Sequence, residues 1–159
     1  MKIQILIASW LLLLSCTSGS DGGNEGSSRQ KIEFFTHEGT EYAIGSTLAR
    51  IGTFADNPVI FIYFLPQDAS CDDITPTTNH LKVGFEEQGD GYGNAISLDV
   101  VLDSGTNLNL SRASGWDSQI TSFDLTDQKI IEGWVTALDL GPDGDTSITG
   151  TFKASYCTS

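Results

Sequence analysis

The feature that most constrains this chain is a two-residue alternation of apolar and polar side chains. Between Ile96 and Asp103 every second residue is apolar, and a similar alternation runs from Ile148 to Tyr156. Successive side chains on a β-strand point to opposite faces of the sheet, so this pattern predicts strands with one buried face and one wet face. No stretch of a dozen residues shows a convincing 3.6-residue period. The sequence therefore predicts an all-β domain.

Shorter runs predict further strands. The segment Val59–Leu65 is apolar throughout and lies between Pro58 and Pro66, which predicts a strand buried on both faces. A single helical turn is an alternative near Thr47–Arg50 or Ser70–Thr75. The other predicted strands are Ile32–Phe35, Tyr42–Ile44, Lys82–Phe85, Leu108–Leu110, Ser118–Leu125, Lys129–Leu140 and Ser147–Cys157.

Turn residues separate these runs. The Gly-Pro-Asp stretch at Gly141–Asp145 predicts a hairpin between the last two strands. Many short strands joined by such turns predict an antiparallel β-sandwich or a jelly-roll-like fold. Comparable turn signals occur at Ala55–Pro58, Gly89–Gly91 and Asp103–Gly105.

The first fifteen residues have the order of a secretory signal. Lys2 precedes the mostly apolar run Ile3–Leu14, and the small Ser15 follows. A helix that spans a bilayer needs about 20 apolar residues, so this run is too short to span and fits a signal core better. We therefore expect residues 1–15 to be a cleaved signal peptide.

The end of this leader resembles the lipobox of bacterial lipoproteins. The residues Leu13-Leu14-Ser15-Cys16 follow its order of an apolar, a variable and a small residue before an invariant cysteine. The resemblance implies cleavage before Cys16 and a diacylglycerol on its thiol. It also implies a stable membrane anchor with two or three acyl chains, because one chain alone binds marginally. The alternative is an ordinary secretory signal with a chance cysteine.

The last strand resembles the endings of small uncharacterised bacterial lipoproteins, which often read G-x-F-x-A-x-aromatic-C. Here Gly150, Phe152, Ala154 and Tyr156 lead to Cys157. The resemblance covers roughly the last thirty residues. It implies a secreted β-sandwich and carries no known activity with it.

The cysteine count agrees with an exported lipoprotein. With Cys16 assigned to the lipid, Cys71 and Cys157 remain as a pair. An oxidising compartment favours a disulfide between them. Neither has a cysteine or histidine at a ligand-like spacing such as C-x-x-C, so a metal role for this pair is less favoured.

Composition separates a linker from the domain. Residues 16–30, after the lipidated cysteine, are rich in Gly, Ser and acids, which predicts a flexible linker with a reach of roughly 20 Å. Residues 31–159 then form one domain. Thr17 is not the aspartate that retains some lipoproteins at the inner membrane. The expected address is therefore the cell envelope, at the outer membrane if the source is Gram-negative.

The charge balance bears on partners. The chain has 8 Lys and Arg against 21 Asp and Glu, a net charge of −13. Nucleic-acid binding needs a basic footprint, so we expect no nucleic-acid partner. An acidic surface also serves solubility alone. The expected contact is with the membrane through the lipid, and a protein or glycan partner stays open.

Catalytic motifs are absent from the sequence. The only histidines are His37 and His80, no G-x-S-x-G surrounds a serine, and we expect both histidines on the surface at loops or strand ends. The adjacent acids Asp72-Asp73 and Glu86-Glu87 do not make catalytic pairs in strands, because neighbouring side chains point to opposite faces.

Two weaker site predictions concern loops. Asp139, Asp143 and Asp145 cluster around the Gly-Pro turn and offer oxygens to Ca²⁺, although Asp is also an ordinary hairpin residue. Trp116 has a loop-like setting and is a candidate ligand contact, whereas Trp134 is expected in the core or at its exposed edge.

Together these features predict a membrane-anchored, non-enzymatic surface module with a structural or ligand-binding role. The alternatives are a glycan-binding domain that uses Trp116 and a small hydrolase that uses two facing carboxylates.

Overall fold

The structure, a computed structural model, describes residues 29–73, 79–103, 107–110, 116–126, 129–141 and 143–158. These residues form β-strands and one short 3-10 helix at Cys71–Asp73, which confirms the predicted all-β fold. No helix within these ranges is long and apolar enough to cross a membrane. The strands are β1 (Phe34–His37), β2 (Thr40–Ala43), β3 (Ser46–Phe54), β4 (Asn57–Leu65), β5 (His80–Gln88), β6 (Gly91–Val101), β7 (Asn107–Asn109), β8 (Trp116–Ser122), β9 (Ile130–Leu140) and β10 (Thr146–Tyr156).

The strands form one mostly antiparallel sheet in which β10 has three partners. One edge of β10 pairs with β9 along its length. On the other edge, Ser147 near the start pairs with Thr36 of β1, and Tyr156 at the end pairs in parallel with Ala49 of β3. From β3 the sheet continues through β4, β5, β6 and β7.

The sheet folds back on itself, so its two ends enclose a core in a sandwich-like arrangement. β8 pairs with β9 and also lies against β6, where the backbone N–H of Ala95 donates to Ser118 Oγ at 2.8 Å. Phe152 of β10 lies at the centre of the core. Its ring centroid is 5.7 Å from that of Phe64 on β4 and 5.9 Å from that of Phe85 on β5.

The predicted hairpin and the apolar strand are both present. β9 and β10 pair antiparallel on either side of the Gly-Pro turn. On β4, Ile60, Ile62 and Phe64 are fully buried in the core, and Phe61 on the opposite face is half-buried. The ring of Phe61 lies where side chains at Gly52 and Gly84 of the neighbouring strands would be. These glycines leave room for an aromatic ring to cover the outer face of the sheet.

One local prediction was wrong and one was confirmed. The segment Thr47–Arg50 belongs to β3 and not to a helical turn. The turn predicted near Ser70–Thr75 is present as the 3-10 helix Cys71–Asp73. Both faces of β3 mix apolar and polar residues, because the disulfide loop covers Leu48 on the outer face while Ala49 enters the core. Because of this mixture, the sequence of β3 shows no regular alternation of apolar and polar side chains.

The first described residues of the chain cross β10 at Gly150 as they enter the domain. Gln30 accepts a hydrogen bond from the Thr151 N–H at 2.8 Å, and the Ile32 N–H donates to the Thr151 carbonyl at 2.9 Å. A Cβ at Gly150 would lie 2.4 Å from the Gln30 carbonyl oxygen, and the φ of Gly150 is +139°. Only glycine fits this crossing without strain. Contacts with the sheet therefore extend back to the end of the predicted linker.

A disulfide fastens the loop after β4 to the end of β10. Cys71 and Cys157 are bonded across a sequence separation of 86 residues, as predicted. Cys157 is fully buried and packs with Leu48 and Leu65 in a second, smaller apolar cluster. The bond thereby holds this loop against the outer face of β3 and β4.

Candidate functional site

The most distinctive cluster of polar groups surrounds His37, the last residue of β1. The β1–β2 hairpin turns at Glu38 and Gly39, whose φ values of 48° and 73° are both positive, as a two-residue type I′ turn requires. The His37 side chain points inward and is 1% exposed. The turn thus places the Glu38 carboxylate beside a buried imidazole.

Thr146 fixes the orientation of the His37 ring. The residues stand opposite each other in the β1–β10 ladder, and His37 Nδ1 lies 2.7 Å from Thr146 Oγ1. The Thr146 hydroxyl donates to Asp145 Oδ1 at 3.2 Å, so its oxygen accepts from the imidazole. This network assigns the ring proton to Nδ1 and leaves a lone pair on Nε2.

His37 Nε2 is buried and makes no hydrogen bond. Glu38 Oε1 lies 3.9 Å from this nitrogen, which is too long for a hydrogen bond. A buried polar atom without a partner costs free energy, so an unpaired Nε2 calls for a physical account. Two electron-pair donors facing each other across 3.9 Å can share a cation or a proton.

Asp145 brings a second carboxylate to the cluster. Its Oδ1 lies 3.7 Å from His37 Nδ1, and its carbonyl accepts from the Glu38 N–H at 3.1 Å. The Asp145 N–H donates to the Leu140 carbonyl at 3.1 Å, which closes the β9–β10 turn. One candidate ligand atom from each of His37, Glu38 and Asp145 lies within 4.8 Å of the others. Both hairpin turns therefore converge on the histidine.

The other two aspartates of the predicted calcium site do not join this cluster. Asp139 and Asp143 are exposed, and neither forms a group of three potential ligands within the described part of the chain. Asp139 has a φ of +54°, and its N–H donates to Ser147 Oγ at 3.0 Å. The calcium site at Asp139, Asp143 and Asp145 stays a prediction, and the structure brings only Asp145 to a histidine.

The tryptophans have different surroundings. Trp116 is the first residue of β8, half-buried, and packs against the main core. Trp134 lies on the outer face of β9, where the guanidinium carbon of Arg29 is 3.8 Å from the ring centroid. A ligand role for Trp116 stays a prediction, and its predicted loop setting is replaced by a strand end.

A groove lies where the incoming chain meets β10. It has a volume of about 690 Å³ and is lined by residues 29–31, 33, 34, 36 and 147–150. Arg29, Lys31 and Glu33 contribute charges of both signs, and Phe34 contributes an exposed ring. Thr36 and Ser147 face this groove, whereas their neighbours His37 and Thr146 face inward. The groove and the histidine cluster thus lie on opposite faces of the same ladder.

The outer face of β4 to β7 carries a polar network centred on Asp99. Lys82 Nζ lies 2.6 Å from Asp99 Oδ2, and the Asn109 amide donates to the other oxygen of Asp99. Burial raises the pKa of the adjacent Tyr63, while the charges of Lys82 and Arg50 lower it to a smaller extent. Asp99 is fully engaged with its partners, so this network does not supply a free catalytic acid.

Both histidines lie at strand ends, as predicted, but the expectation that they are exposed was wrong. His37 and His80 are 1% and 4% exposed, not surface residues. The local sequence contains no signal for the cluster, because His37 and Asp145 meet only through the β1–β10 pairing. The one relevant signal in the sequence is that Asp145 lies in the turn where a calcium site is predicted. Cys16 lies outside the described residues, as do the predicted signal peptide and most of the predicted linker.

Comparisons with protein-family models, curated proteins and solved structures found no match.

Proposed function

We propose that this chain is an exported lipoprotein of the cell envelope, anchored through a lipid on Cys16, whose β domain is a non-enzymatic binding module. The leader with its lipobox-like end supports the export and the lipid. The linker then allows the domain to stand away from the membrane surface.

The observation that carries the proposal is the Cys71–Cys157 disulfide. Structural disulfides persist in oxidising compartments and are rare in the cytosol, so this bond supports export. It also accounts for two of the three cysteines in the chain. The remaining thiol is Cys16, which stands at the position where the lipobox places the acceptor for lipid.

The groove at the start of β10 favours a binding role over a purely structural one. Its volume of about 690 Å³ lies within the range of small-molecule sites. The cations Arg29 and Lys31 stand beside Glu33 and the apolar ring of Phe34. Such a lining suits a small polar ligand or a peptide with both charges and an apolar group.

Detergent phase partitioning of the chain made in a bacterial host tests the anchor. We expect the wild type to enter the detergent phase and Cys16→Ala to remain in the aqueous phase or keep an uncut leader. The double variant Cys71→Ala/Cys157→Ala is the matched control, because it also loses cysteines but keeps the lipid acceptor. Aqueous partitioning of the wild type, or detergent partitioning of cleaved Cys16→Ala, would contradict the proposal.

A further inference from the structure

We infer that His37, Glu38 and Asp145 form a binding site for a divalent transition-metal ion of the Zn²⁺ type. This inference concerns the folded domain and does not depend on the lipid anchor. It rests on a buried imidazole whose outer nitrogen has no hydrogen-bond partner, and on two carboxylates brought to it by two separate turns.

The hydrogen bonds of the His37 ring leave one of its nitrogens available to bind a metal. Histidine ligands bind through one ring nitrogen while the other donates to an oxygen that fixes the tautomer. Here Nδ1 donates to Thr146 Oγ1, which in turn donates to Asp145. Nε2 is therefore left with its lone pair, buried and without a hydrogen-bond partner among the protein groups.

Coordination requires both carboxylates to move, because the candidate ligand atoms lie within 4.8 Å of one another and Asp145 Oδ1 lies 3.7 Å from His37 Nδ1. Ligand atoms that bind Zn²⁺ tetrahedrally at 2.0–2.1 Å lie about 3.3 Å from each other. His37 Nε2 and Glu38 Oε1 are 3.9 Å apart, so the gap closes by about half an ångström. The Glu38 side chain is 73% exposed and free to make this movement, whereas the buried histidine stays in place.

The donor set selects the class of metal. One imidazole nitrogen and two carboxylate oxygens suit Zn²⁺ and related transition ions. Ca²⁺ takes six to eight oxygen ligands and does not favour imidazole. Three protein ligands also leave a fourth position for water or for a ligand from outside.

Titration of the purified, chelator-stripped full chain with ZnCl₂ by calorimetry tests the inference. We expect one Zn²⁺ per chain. Glu38→Gln and Asp145→Asn should each weaken binding at least tenfold, because each replaces a charged oxygen ligand with a neutral amide. Glu41→Gln and Asp143→Asn are matched controls, since both are exposed acids near the same turns. Their affinity should stay within twofold of the wild type.

Nitrogen NMR of the His37 ring gives a second readout that does not need a variant of the buried residue. Zn²⁺ should shift the Nε2 resonance and leave Nδ1 protonated. The inference would be overturned by a ring that is doubly protonated and unchanged by Zn²⁺, or by the absence of stoichiometric binding. Equal losses in Glu41→Gln and Glu38→Gln would show general binding to an acidic surface. Loss of binding in Asp143→Asn with Glu38→Gln unaffected would move the site to the β9–β10 turn.

Discussion

Thr146 lies directly opposite His37 in the β1–β10 ladder, and its hydroxyl oxygen is 2.7 Å from the Nδ1 atom of the histidine. The two residues are 109 positions apart in the chain, so this contact exists only when β1 and β10 are in register. Both side chains are buried. The hydroxyl thereby links the histidine to Asp145 and holds the ring in one orientation.

Replacing Thr146 with Val should destabilise the domain by about 1–3 kcal/mol, because a buried N–H and part of a carboxylate lose their partner. Valine keeps the shape and the β-branching, so the loss isolates the hydroxyl. Urea denaturation measures this loss in the free energy of unfolding. Thr149→Val on the exposed face of β10 is the control and should change stability by less than about 0.5 kcal/mol. Equal effects at both positions would show that the hydroxyl has no special role.

Gly150→Ala should destabilise the domain by more than Gly89→Ala. Both glycines have positive φ, but an added Cβ meets the Gln30 carbonyl at Gly150 and open space at Gly89. We expect about 1 kcal/mol at Gly89 from backbone strain and at least about 2–3 kcal/mol at Gly150. Thermal unfolding of the two variants beside the wild type compares these costs. A similar cost at both sites would mean that the chain does not cross β10 at this point.

Removal of the disulfide should cost up to about 4.5 kcal/mol, because the bond closes a long loop in the unfolded chain. The sequence separation of 86 residues sets this figure in the chain-entropy account. Cys71→Ala/Cys157→Ala is the appropriate variant, since the buried Cys157 lies among apolar side chains. Its urea midpoint should match that of the reduced wild type. Unchanged stability after reduction would contradict the pairing.

The phenol of Tyr63 should ionise above the ordinary tyrosine value of 10.0, because burial raises its pKa. The folded state then binds this proton more tightly than the unfolded state. Its contribution to stability is present below pH 10 and is lost as pH rises through the raised pKa. Alkaline titration by ultraviolet absorbance should show a late component that Tyr63→Phe removes. If Tyr63→Phe instead removes a component that ionises at the ordinary value, the environment described for this side chain is contradicted.

Strands such as β10 were predicted from their alternation because they have one dry face and one wet face. On β10, Ile148, Phe152 and Ala154 face the core while their neighbours are more exposed, so the alternation was visible in the sequence. β3 was missed because the disulfide loop covers its second face at Leu48, and a strand with two partly buried faces loses the alternation. The packing of a distant loop against a strand cannot be deduced from the residue pattern of the strand itself.

The histidine cluster could not be predicted for a similar reason. His37 and Glu38 are adjacent, but their partner Asp145 comes from a turn near the other end of the chain. The turn itself was predicted from its Gly and Asp residues. Its pairing partner depends on the sheet order, because β10 pairs with β1 at its start and with β3 at its end.

The intact mass of the protein purified from its host's membranes tests the central claim of an exported, lipid-anchored, disulfide-bonded domain most directly. The account predicts a mass that lacks residues 1–15, is raised by two or three acyl chains on Cys16, and increases by two hydrogens on reduction of Cys71–Cys157. An uncut leader, a cleaved chain without lipid, or a mass unchanged by reduction would contradict it.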